Sequence, residues 1–194
     1  MSKTLAAILV IIVICVSFTG CYDSREIDDL AYVIALGLDK GVSNTLKLTI
    51  QYAVPKSTVS GGDSGDGRSV GKSLDIMTLE APSLYSALNL ANNSLSREIN
   101  LSHAVVIVFS EELAREGGVG KYIRGMVKGL QFRPNMYIAV SRGSAEDYLK
   151  EIKPVLEVDP SKYYELNYRS YRYTGFFADS SFHRFYTHLE SNSI

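Results

Sequence analysis

No charged side chain occurs between residues 5 and 18, and that run decides how much of the chain is available to fold. Coiled as a helix it covers about 21 Å at ~1.5 Å per residue. The hydrocarbon core of a bilayer is about 30 Å thick. Lys3 precedes the run, Phe18-Thr19-Gly20-Cys21 closes it, and Asp23, Arg25, Glu26, Asp28 and Asp29 follow at once. A basic start, a short apolar core, small residues and an abrupt return of charge form a secretory leader. The alternative is an uncleaved signal anchor, since residues 5–22 together come close to a minimal span. In both cases Lys3 holds the N-terminus inside and the remainder is delivered outside the cytoplasm.

Thr19-Gly20-Cys21 resembles a lipobox, the cleavage site of bacterial lipoproteins, with Phe18 where leucine is usual. Small residues let the chain lie extended in a peptidase groove, and the thiol of Cys21 is the expected point of diacylglycerol attachment. Several acyl chains hold a protein to lipid where one binds only marginally. The expected organisation is therefore a signal peptide over 1–20, a tether over 21–29 and a folded α/β domain over 30–194. The other cysteine, Cys15, lies in the leader, so the exported part has neither a disulfide pair nor a cysteine cluster for a metal. A net charge of −1 gives no electrostatic case for nucleic acid. With 46% hydrophobic and 21% charged residues the chain can build a core without staples.

Residues 30–38 read as a strand covered on both faces, with Tyr32, Ile34, Leu36 and Leu38 on one side and Ala31, Val33, Ala35 and Gly37 on the other. A polar turn over 39–44 leads to a strand over 45–54, whose Leu46, Leu48, Ile50, Tyr52 and Val54 face inward and whose Thr45, Lys47, Thr49 and Gln51 face out. The pair predicts an N-terminal antiparallel hairpin. Residues 56–71 are rich in glycine, serine and aspartate and read as a flexible loop. A third strand is expected over 72–80, then a helix opened by Pro82 with Leu84, Leu88, Ala91 and Leu95 as its stripe. Residues 104–109 predict a central strand, and Ser110 caps a short helix bearing Glu111 and Glu112. After Gly117-Gly118, Val119, Tyr122, Ile123, Met126, Val127 and Leu130 recur at helical spacing. A strand over 136–141, a helix capped by Ser144 and a helix opened by Asp159-Pro160 complete the order. The fold class is α+β, a mixed sheet packed against helices.

Beyond the leader, Gly20-Cys21-Tyr22-Asp23-Ser24-Arg25-Glu26-Ile27-Asp28-Asp29-Leu30-Ala31 is similar to the mature start of the Ger(x)C lipoproteins, the C subunits of spore germinant receptors. So are Gly37-Leu38-Asp39-Lys40 at the end of the first strand, Phe132-Arg133-Pro134-Asn135-Met136, and Phe176-Phe177-Ala178-Asp179-Ser180-Ser181-Phe182-His183. Tyr22 stands where the family has tryptophan. The resemblance implies a non-enzymatic, cofactor-free lipoprotein on the outer face of the inner spore membrane. It would act in nutrient-triggered germination beside two integral membrane subunits. Members are longer chains of several α/β domains, so the resemblance implies that this sequence holds the first and is a truncated product or a fragment.

No other pattern amounts to chemistry. Gly62-Asp63-Ser64-Gly65 matches a protease nucleophile segment but lies in the glycine-rich stretch without a readable histidine base. Gly67 to Gly71, followed by Lys72-Ser73, falls one residue short of a phosphate-binding loop and precedes a strand. Asp63 and Asp66 lack the bidentate glutamate of a calcium loop. His103, His183 and His188 pair with no catalytic carboxylate or cysteine by pattern. The cluster of Tyr163, Tyr164, Tyr168, Tyr171 and Tyr173 with Arg169 and Arg172 carries two readings. An aromatic stripe at helical spacing is ordinarily core. Tyrosine and arginine are also enriched in hot spots, which makes Tyr164, Tyr168, Tyr171 and Arg172 candidates for partner binding. Against the receptor-subunit reading stand a substrate-binding lipoprotein of a transporter, for which the chain is small to form two lobes, and an anchored hydrolase, for which no nucleophile and base are readable.

Overall fold

In a computed structural model, the described residues are 3–4, 29–54, 73–128, 132–152, 154, 156–157, 159–176 and 178–191. Expectations for the leader, for Cys21 and the rest of the tether before Asp29, for the loop 56–71 and for Leu130 fall outside them.

The sheet is built around β1 (Leu30–Lys40). On one side β1 pairs antiparallel with β2 (Leu46–Val54), which pairs antiparallel with β3 (Ser73–Ala81). On the other, its first residues pair parallel with the short β4 (Glu98–Asn100) and its later ones with β5 (Val106–Ser110). β6 (Tyr137–Ser141) pairs parallel with β5 and forms the far edge, giving the order β3-β2-β1-β5-β6. The mixed α+β sheet and the N-terminal hairpin are as expected.

Both faces are covered. Against one face lie α1 (Leu84–Ser94), the short α2 (Glu111–Arg115), α3 (Gly118–Val127) and α6 (Phe182–Ser191). Their Leu84, Ala87, Leu88, Leu113, Ile123, Met126 and Phe182 pack on Leu36, Leu38, Leu46, Leu48, Ile50, Ile107 and Phe109. Burying a large aliphatic side chain contributes about 1.5–3 kcal/mol, so this cluster supplies most of the driving force. Against the other face lie α4 (Ala145–Glu151) and α5 (Pro160–Arg169), which bring Ala145, Leu149, Tyr164 and Tyr168 onto Ile34, Ala35, Val106 and Val108.

Caps set the helix starts. The hydroxyls of Ser83, Ser110 and Ser144 accept from the amides of Ser86, Leu113 and Asp147, and Asp159 accepts from Ser161. Pro82 therefore precedes the first helix rather than opening it, because Ser83 holds the cap; Leu95 ends that helix instead of extending its stripe. Gly117, at φ 75°, takes the left-handed conformation that separates α2 from α3.

Two further expectations need correction. The side assignment in β1 changes midway: Leu36 and Leu38 lie on the α1 face with Val33, while Ile34 lies with Ala35 on the α4 face. The register explains it, since Val33 is opposite Tyr52 and Ala35 is opposite Gln51, so Ile34 is an extra residue that reverses the alternation. Thr49 and Gln51, expected outward, are buried, because α4 and α5 cover that side of β2.

Candidate functional site

Parallel pairing brings the carboxyl ends of β1, β5 and β6 to one edge of the sheet, the place where open α/β sheets present binding crevices. A cleft of about 540 Å³ opens there, lined among others by Asp39, Lys40, Lys47, Glu111, Arg115 and Ser144.

The Gly37-Leu38-Asp39-Lys40 segment builds this end. A Cβ on Gly37 would lie 3.0 Å from Leu149 and 3.3 Å from the Ala145 methyl, so the missing side chain lets α4 rest on the strand. Leu38 is fully buried in the opposite core. The carboxylate of Asp39, itself buried, accepts from the amides of Ala145 at 2.7 Å and Glu146 at 2.9 Å. Those are the orphan donors of the first turn of α4, and an anion at that position also meets the positive end of the helix dipole. Lys40 reaches outward to Glu112 at 3.2 Å and Glu116 at 2.5 Å. The hydrogen bond to Glu116, then that to Glu112, raises its pKa.

Lys47 lies on the neighbouring strand and meets Glu146 at 2.5 Å. Glu146 also receives Lys150 at 2.6 Å and the Thr78 hydroxyl at 3.1 Å. The hydrogen bond from Lys150, followed by that from Lys47, holds its pKa down at about 2. The group is an anion throughout the physiological range and cannot serve there as a proton donor. Arg115 is satisfied by Glu111 at 2.6 Å. The charges of the cleft are thus matched to one another. Among the described residues no group of histidine, cysteine, aspartate and glutamate is arranged to hold a metal ion.

Below the cleft, on the same face, the tyrosines divide. Tyr164 is fully buried and its hydroxyl donates to Gln51 Oε1 at 2.7 Å, while Gln51 Nε2 donates to the Leu149 carbonyl at 3.2 Å. Tyr168 shares a hydrogen bond of 2.8 Å with Tyr148 and stacks on Tyr137 with centroids 5.6 Å apart. Burial pushes both phenols upward in pKa. These two tyrosines fasten α5 to the sheet. Tyr171 and Arg172 fall beyond α5 on a 3-10 turn, Ser170–Arg172; Tyr171 is half-buried, and exposed Arg172 lies 5.9 Å from its ring centre. Tyr173 is 71% exposed. The structure therefore brings Tyr164 and Tyr168 together inside and leaves Tyr171 and Arg172 toward solvent.

Two further segments singled out in the sequence meet each other. The Phe182 amide donates to the Met136 carbonyl at 2.7 Å, His183 to Pro134 at 3.0 Å and Ile138 to Ser180 at 2.8 Å. Phe132 and Phe182 stack at 6.4 Å. The second segment thus clips onto the edge strand β6. His103 sits edge-on to Tyr32 at 4.8 Å, and His183 and His188 are exposed on α6. The protease-like Gly62 to Gly65 segment lies outside the described residues, as does all but Ser73 of the phosphate-loop lookalike.

Sequence reasoning did not single out Asp39, Gln51 or Glu146 as partners across the fold. Asp39 carried a signal of its own, standing at the end of a strand in a quoted motif. The other two carried none, since nothing local marks which polar residue a distant helix will cover.

Fold and site together define an α+β domain whose polar groups are spent on docking its own helices and on a cleft of matched charge. The chain belongs to the family described as the spore germination protein N-terminal domain, whose model matches residues 23–194. It is 27% identical over 161 residues to spore germination protein KC of Bacillus subtilis (strain 168), covering 82% of this chain and 39% of that one. It is 32% identical over 151 residues to YfkR of the same organism, which bears a provisional spore-germination name, covering 77% and 38%. Spore germination protein B3, also from that organism, is 22% identical over 160 residues, covering 78% and 39%. The chain spans about two fifths of the length of these curated relatives. No solved structure matches it. The family and these relatives are all named for spore germination.

Proposed function

We propose that this chain is the lipid-anchored subunit of a nutrient germinant receptor, held through Cys21 on the outer face of the inner spore membrane and acting by contact rather than catalysis. The observation that carries the reading is the family match beginning at residue 23, directly behind the Thr19-Gly20-Cys21 site. The charge-matched cleft supports a contact role, because Glu146 is held as an anion and Lys40, Lys47 and Arg115 are each occupied by a carboxylate. In this proposal the membrane lipid takes the acylated cysteine and two integral membrane subunits are the protein partners. Tyr171 and Arg172, left outside when Tyr164 and Tyr168 are buried, form the candidate contact surface.

The test is Cys21→Ala in the native host. The expected result is loss of the acyl mass from the protein, its release from the spore membrane and a weakened nutrient response. An unmodified wild-type Cys21, or an unchanged response from the variant, overturns the proposal.

A further inference from the structure

The strand that follows the tether begins at Leu30 with Glu98 opposite it, and β5 and β6 begin five residues further along, Val106 lying opposite both Ala35 and Tyr137, so all four strands run away from this end of the sheet. Arg97 immediately precedes β4, Arg133 lies in the turn leading into β6, and Lys128 ends α3 just before it. Arg133 and Lys128 are exposed and Arg97 is half-buried. None of the three makes an ion pair among the described residues, although Asp29 and Glu98 share this end. At the opposite end the cleft cations Lys40, Lys47 and Arg115 are all ion-paired, whereas Arg142 at the rim makes no ion pair among the described residues.

Length adds a second constraint. Eight residues separate Cys21 from Leu30, and an extended chain spans at most ~3.6 Å per residue. The beginning of β1 therefore stays within about 30 Å of an anchored sulfur. The eleven residues of β1 carry Lys40 roughly 33 Å beyond that point, at ~3.3 Å per residue.

Resting on the proposed anchor at Cys21, we infer that the end of the domain where the parallel strands begin lies against the phospholipid headgroups. Arg97, Lys128 and Arg133 face anionic lipid, and the charge-matched cleft opens away from the bilayer. Cations without a protein partner gain from a negative leaflet, whereas paired ones have little left to offer it. A partner that meets the cleft must consequently project beyond the membrane surface, and the cleft is closed to groups lying within the headgroup layer.

Labels at the two ends of one strand test the orientation. The full chain, acylated in a lipidating host, is placed in phosphatidylcholine–phosphatidylglycerol vesicles with a single new thiol at Asn135→Cys or at Arg142→Cys, the native Cys21 being blocked by its lipid. A fluorophore on that thiol is read against a quencher fixed to lipid headgroups. Quenching several-fold stronger at 135 than at 142, with the ratio falling when Arg97→Gln and Arg133→Gln are combined, is the expected result. Equal quenching, or stronger quenching at 142, in protein that floats with the vesicles overturns the orientation and leaves the anchor standing. Protein that fails to float and carries an unmodified Cys21 overturns the anchor and the orientation with it.

Discussion

The two faces of the sheet are held by different means. On the α1 face the contacts are apolar: Leu36, Leu38, Leu46, Leu48, Ile50, Ile107 and Phe109 meet Leu84, Leu88, Ile123 and Met126. On the α4 face a smaller apolar cluster is threaded with polar pairs: Asp39 to the first amides of α4, Gln51 to Tyr164 and Leu149, Tyr148 to Tyr168, Thr78 and Lys47 to Glu146. Hydrophobic burial is non-directional and supplies bulk stability. Buried hydrogen bonds contribute less each but are costly to leave unmade, so they fix where α4 and α5 sit. The first face makes the fold strong, and the second makes it specific.

That contrast can be broken most severely on the apolar side. Phe109→Ala, at a fully buried position, should cost about 3–5 kcal/mol and leave little folded protein at physiological temperature, measured by urea denaturation. On the polar side Asp39→Ala strips one buried and one half-buried amide of their acceptor, and a loss of about 2–3 kcal/mol is expected. Amide exchange should rise at Ala145 and Glu146 while α1 stays protected; uniform exchange across both faces would argue that the two are one cooperative unit. Tyr164→Phe keeps the ring and deletes the hydroxyl that Gln51 accepts, so about 1 kcal/mol is expected.

Acid probes the same side differently. Because the Glu146 pKa is depressed to about 2, the carboxylate stabilises the fold fully above its ordinary value of 4.5, and that contribution is lost as pH falls from there toward 2. Glu146→Gln should flatten this part of a stability-versus-pH curve, and an unchanged slope would remove the group from the account. Lys40→Gln should have the smallest effect of the series on the urea midpoint, since its pairs with Glu112 and Glu116 are solvent-exposed. High salt should already erase part of the difference.

The same division explains what could be seen in the sequence. Period-two runs in β1 to β3, the apolar run of β5 and the serine caps are local signals, and each element lies close to its expected place. The reversal at Ile34 was not legible, because a bulge depends on how β2 registers against β1 rather than on either strand alone. Gln51 and Thr49 read as outward because alternation tells which residues share a face and not what covers that face. The helix Phe182–Ser191 was missed although Ser181, a residue of capping type, stands directly before it, and it is placed by backbone bonds to Met136 and Pro134, more than forty residues earlier. Of the site, Asp39 and Lys40 were visible as a motif, while their partners Ala145, Glu112 and Glu116 came only with the fold.

The position of β1 has a consequence for how such a chain is made. Ala35 pairs with Val106, about seventy residues downstream. A polypeptide emerging N-terminus first therefore exposes its most apolar strand, open at one edge, until β5 has been synthesised. Closing that gap spends loop entropy before any contact repays it, so formation of the sheet centre is expected to be late and slow. In that interval the nascent chain is at its most vulnerable to adhesion, and a chaperone that recognises extended apolar segments would have its natural target between Leu30 and Leu38.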